Sequence, residues 1–135
     1  MGSDVVRNKI EIIERCLARV KEVYASTPSN LNDFTKQDSI VLNLQRAVEA
    51  TIDIAMFVVS AEKLGLPQSS RDSFEMLYGG KFITESLLTK MSAMVGFRNI
   101  VVHNYQKISL PILQTIIEDH LGDFHEFIQA TKRWA

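Results

Sequence analysis

Arg98, His103 and Tyr105 stand within the run GFRNIVVHNY at residues 96–105, an Arg-x4-His-x-Tyr pattern directly after a long apolar stretch. These three side-chain types suit phosphodiester chemistry. A guanidinium can hold a phosphate in bidentate fashion, while an imidazole moves a proton near neutral pH. The pattern therefore nominates a site that cuts RNA without a metal or other cofactor. A tyrosine beside such a phosphate grip can position RNA by stacking or hydrogen bonding, or be a target whose modification blocks the site.

The spacing constrains how the site is built. On a regular helix, residues five apart are separated by about 140° around the axis, so Arg98 and His103 cannot point into one pocket of one straight helix. Either the helix unwinds near Val102, or two copies of the pattern meet across a two-fold axis and one copy's arginine faces the other's histidine. Asn99 lies four residues before His103 and shares its face, so its amide oxygen is a candidate to accept the imidazole N–H and fix the tautomer. Arg98 and Tyr105, seven apart, share a face if the helix persists through both.

The elements that must carry this pattern are helical from end to end. Val6, Ile10, Ile13, Leu17, Val20 and Tyr24 repeat at three and four residues with charged residues between, which predicts an amphipathic helix ending before Pro28. Gly2 and Ser3, ahead of it, are given no weight. Ser26–Asp33 reads as a loop, with Thr35 and Asp38 forming a capping box for a second helix that runs to about Leu64. Gly65 and Pro67 stop that helix. Ser69 or Ser70 caps a short third helix through Leu77, ended by Gly79 and Gly80, and Thr84 starts a fourth that leads into the pattern, interrupted only by Gly96. Ser109 and Pro111 open a fifth helix carrying Leu113, Ile116, Ile117, Leu121, Phe124 and Ile128. No strand pattern or repeat is present. Short connections between long amphipathic helices imply an all-α up-and-down bundle, four helices with a short additional one, in a single domain over residues 1–135. Ile54, Phe57 and Val58 lie beyond the main apolar stripe of the second helix, and they serve either a partner or a central position in the monomer.

Bulk composition narrows the function classes. The chain is 46% hydrophobic, and 15 basic residues face 16 acidic ones, so it is no broadly cationic nucleic-acid binder. Between positions 81 and 107, however, Lys81, Lys90, Arg98 and Lys107 face only Glu85. Any RNA contact would be local and salt-sensitive. Cys16 is the only cysteine and excludes an intramolecular disulfide. The most apolar run, residues 47–59, contains Glu49 and Asp53 and is too short to span a bilayer. A cytoplasmic location is expected.

Other polar groups are weighed against the same pattern. Glu49 and Asp53 lie one turn apart and form a polar stripe with Arg46 on the second helix. They either orient Arg98 as supporting groups or close the bundle edge as ion pairs. His120 and Asp123 can share a face but are too few to hold a structural zinc, and Asp119 and His125 add no suitable pair. Cys16 has no histidine near it in sequence and reads as a buried thiol.

Three segments together carry a family likeness. QRAVEATIDIA at 45–55, GLPQSSRDSFEML at 65–77 and MVGFRNIVVHNY at 94–105 resemble, in order and separation, the HEPN superfamily and specifically the HepT toxins. The likeness covers residues 35–108 closely. It implies a HEPN bundle forming a symmetric homodimer, with paired motifs making a composite, metal-independent endoribonuclease site. Arg98 and His103 then take the catalytic places, with Asn99 supporting. It further implies an MntA-type nucleotidyltransferase antitoxin as partner, Tyr105 as the residue that antitoxin adenylylates, and a tRNA or mRNA substrate. The competing reading is a non-catalytic nucleotide- or substrate-binding subunit of a two-component nucleotidyltransferase. A purely structural interaction protein stands third.

Overall fold

The computed structural model describes residues 2–135 and contains only helices and turns among them. Helix α1 spans Asp4–Tyr24, α2 Phe34–Ala61, α3 Ser70–Gly79, α4 Glu85–His103, α5 Leu110–Thr115 and α6 Leu121–Thr131. The all-α bundle expected from periodicity is the observed fold. Helix α2 is central, packing against α1, α3, α4 and α6, and that explains its apolar surplus. Ile54 and Val58 are fully buried inside the protomer and Phe57 is partly buried, so these residues require no partner.

The ends of the helices show how local chemistry sets the boundaries. Ser3, given no weight from sequence, caps α1: its hydroxyl accepts from the Val5 N–H at 3.1 Å. The interval before α2 is not plain loop, because Pro28–Asn32 forms a 3-10 turn. Asp33, rather than the expected Thr35–Asp38 box, caps α2 by accepting from the Lys36 N–H at 3.0 Å. Asp38 is thereby left for another role. Helix α2 stops at Ala61, three residues before the expected Leu64, as Lys63 turns left-handed at φ 55° and Leu64 N–H reaches back to the Val59 carbonyl. Gly65 follows at φ 121°, a conformation suited to glycine. Ser69 caps α3 as expected, and Thr84 caps α4.

The core joins all the long helices. Phe74 of α3 meets Phe127 of α6 edge to face with centroids 5.5 Å apart, and Ile13, Leu17, Leu44, Leu87, Met91 and Leu113 fill around them. The fifth helix of the sequence reading is broken by a π turn at Ile116–His120 between α5 and α6. At this bulge Glu118 faces α1 and accepts a hydrogen bond from the buried Tyr24 hydroxyl.

This contact has a measurable signature. Burial first, then the Glu118 hydrogen bond and charge, push the Tyr24 phenol from its ordinary 10 up to about 12. A raised folded-state value means the stabilisation is whole below pH 10 and lost as pH climbs through 12. Tyr24→Phe is expected to cost about 1–2 kcal/mol in urea unfolding at neutral pH. It should also flatten the decline in stability across that alkaline interval, and an unchanged decline would count against the assignment.

Candidate active site

Arg98 is held between α2 and α3. Its Nη2 donates to Ser70 Oγ at 3.1 Å and its Nη1 lies 3.8 Å from Glu49 Oε2, with the side chain 20% exposed. The Nε–H is covered and has no acceptor among the described residues. An orphaned buried donor costs about 1–3 kcal/mol, and such groups are uncommon in native structures. Arg71 crosses from α3 to donate to the Ser92 carbonyl at 3.3 Å. Gly96 permits that approach, since a Cβ there would stand 2.8 Å from Arg71 Nη2.

His103 occupies the last turn of α4 and is exposed. Helix α4 continues through Gly96 without the expected interruption and shows no unwinding near Val102. Within one chain, Arg98 and His103 therefore project about 140° apart. The helix surface between and beside them is unusually apolar for an exposed face: Val102 is 48% and Ile100 44% exposed. Asn99 shares the His103 side of α4, but no hydrogen bond joins the two among the described residues.

Tyr105 departs from the geometry that a longer helix would impose. Helix α4 ends at His103, Asn104 leaves the helical region at φ −157° and ψ 62°, and Tyr105–Lys107 forms a 3-10 turn. This redirects the phenol onto α2, where its hydroxyl donates to the Asp38 carboxylate. Partial burial, the Asp38 hydrogen bond and the Asp38 charge push the Tyr105 phenol up to about 12.

The remaining candidates separate into different surroundings. Asp53 pairs with Lys9 of α1 at 3.0 Å, so its protomer partner is on the bundle edge and Glu49 is the carboxylate that reaches Arg98. Arg46 lines a groove between α1 and α2 with Arg15, Arg19 and Asn43, of about 430 Å³, rather than standing beside Arg98. Lys90 is paired with Glu126 at 3.1 Å, which trims the local positive excess expected around the motif. His120 Nδ1 lies 3.0 Å from Asp123 Oδ2 at the rim of an apolar groove of about 550 Å³ that includes Phe97, Ile100, Ile112 and Ile116. No group of three or more His, Cys, Asp or Glu side chains among the described residues is arranged to hold a metal ion. Cys16 is buried, and burial pushes its thiol up despite the lowering fields of Arg46 and Arg15. No helix among the described residues is long and apolar enough to cross a membrane.

Sequence reasoning missed Asp38, Ser70 and Arg71. Asp38 had been absorbed into a capping box, and Ser70 into a choice of caps. Neither had a local signal for its true neighbour, since Tyr105 and Arg98 lie 67 and 28 residues away.

Comparison with known proteins places this geometry in context. Residues 13–131 match the family model described as ribonuclease HepT-like. The chain is 46% identical over 130 residues to the mRNA nuclease HepT of Shewanella oneidensis, covering 96% of this chain and 98% of that protein. It superposes with a TM-score of 0.93 and 46% identity on a tri-AMPylated Shewanella oneidensis HEPN toxin in complex with an MNT antitoxin, covering 97% of this chain and 98% of the other. A toxin–antitoxin structure with AMP-PNP superposes equally, with a TM-score of 0.93, 45% identity, and coverage of 97% and 99%.

Proposed function

The chain belongs to the HepT-like ribonuclease family, and from that premise we propose that it is the toxin of a toxin–antitoxin pair, a metal-independent endoribonuclease acting as a homodimer. Arg98 of one copy and His103 of the other form each site, and an MNT-type (MntA-like) nucleotidyltransferase silences it by adenylylating Tyr105. The observation that carries the dimeric site is the unbroken helix α4, which turns the two residues about 140° apart within one chain. The exposed Ile100 and Val102 beside them supply an apolar surface for a second copy to cover.

The chemistry follows from the groups. The ribose 2′-hydroxyl attacks the adjacent phosphorus, the bond to the 5′ oxygen breaks, and a 2′,3′-cyclic phosphate forms. His103 takes the 2′ proton, and a proton returns to the departing oxygen. Arg98 binds the non-bridging oxygens through its guanidinium as charge grows on them. Asn99, on the histidine side, supports the imidazole once substrate closes the site. AMP on Tyr105 adds bulk and negative charge two residues from His103, which repels an RNA phosphate approaching that imidazole.

The test is cleavage of mRNA and tRNA by purified protein in EDTA, before and after treatment with the antitoxin and ATP. Products with cyclic phosphate ends, lost once mass spectrometry shows Tyr105 carrying AMP, are the expected result. Absence of cleavage by unmodified protein would instead favour a nucleotide-binding subunit.

A further inference from the structure

Asp38 is the only group hydrogen-bonded to the Tyr105 hydroxyl among the described residues. It projects from the second turn of α2, across to the 3-10 turn that follows α4. Asp33 already caps α2, so capping does not account for Asp38. The contact joins segments 67 residues apart and leaves Tyr105 38% exposed, so the phenol is both anchored and reachable. Its proton is tightly held: with the phenol pushed up to about 12, almost none is ionised near neutral pH. Attack by this oxygen on phosphorus therefore requires a base during the step.

We propose that Asp38 is a catalytic residue of the modification reaction, the base within the toxin itself that accepts the Tyr105 proton during adenylylation. This rests on the reading of Tyr105 as the adenylylated residue. The Tyr105 oxygen bonds to the α-phosphorus of ATP, the bond from that phosphorus to the β-bridging oxygen breaks, pyrophosphate departs, and the phenolic proton passes to the Asp38 carboxylate. The protein thus supplies the antitoxin with a nucleophile and its base already in contact. An aspartate that merely tethered the turn would position the oxygen without taking its proton.

The two roles differ in pH dependence. Single-turnover adenylylation by the MNT-type antitoxin with magnesium and ATP would be followed by intact mass for wild type, Asp38→Asn and Asp38→Glu, with Tyr105→Phe as the site control. Thermal unfolding of each variant establishes that it is folded. Asp38→Asn is expected to slow modification about 10²-fold or more, and Asp38→Glu, which keeps the carboxylate, to recover much of the rate. Taking the ratio of wild-type to Asp38→Asn rates cancels the antitoxin's own pH profile. That ratio should fall by about tenfold per pH unit from roughly pH 7 to 9, as phenolate formed in solution replaces the missing base. A constant ratio would leave Asp38 a tether only and overturn the proposal, as would an undiminished Asp38→Asn rate. If wild type gains AMP elsewhere or not at all, the reading of Tyr105 fails first, an outcome visible in the wild-type arm alone.

Discussion

His103→Ala is expected to lower RNA cleavage by about 10³-fold or more, with Arg98→Ala losing about 10²–10³-fold. The two losses have different origins. His103 is exposed and its imidazole makes no hydrogen bond to another described residue, so its removal should leave thermal stability nearly unchanged while deleting proton transfer. Arg98 is partly buried against Ser70 and Glu49. Its removal deletes an unpaired buried donor together with two contacts, effects of opposite sign on stability. Arg98→Lys should rescue little, because an ammonium cannot reproduce the planar fork that grips two phosphate oxygens. The measurement is the cleavage rate in EDTA at saturating RNA, beside a melting curve for each variant. Near-wild-type cleavage by His103→Ala would remove the histidine from the mechanism.

Mixing the two inactive variants should restore activity. If Arg98 of one copy works with His103 of the other, a dimer of one Arg98→Ala chain and one His103→Ala chain contains one site with both residues intact and one with neither. Random exchange makes half of the dimers mixed, so cleavage should return to about a quarter of the wild-type rate, from a background of about a hundredth or less. A site built within each chain would show no recovery, since every chain would still lack one member. The experiment needs subunit exchange, verified by native mass spectrometry of the mixture. Full inactivity of confirmed mixed dimers would discard the one-from-each-chain arrangement.

The helical plan was open to reading because its causes are local. Apolar residues at three- and four-residue spacing in α1 and α2, and Ser69, Thr84 and Ser109 as caps, act within a turn or two of themselves. Where a local cue had rivals, the reading slipped. Thr35 with Asp38 satisfied a capping pattern as well as Asp33 did, but in the structure Asp33 accepts the Lys36 N–H while Asp38 meets Tyr105 across the bundle. Gly96 looked like an interruption of the fourth helix. The helix runs straight through it, and a Cβ there would crowd the Arg71 side chain arriving from α3, a neighbour that no local pattern contains.

By itself the sequence determined the helix order, the identity of the Arg-x4-His-x-Tyr residues and the problem that their spacing poses. Periodicity and side-chain chemistry are enough for each of these. Only the tertiary structure decided that α4 runs unbroken through His103, that Glu49 rather than Asp53 reaches Arg98, and that Tyr105 turns away onto Asp38. Each of those outcomes depends on which helix stands opposite, at what height and with which residue facing in. Packing sets such relations between segments tens of residues apart, where no short-range preference acts.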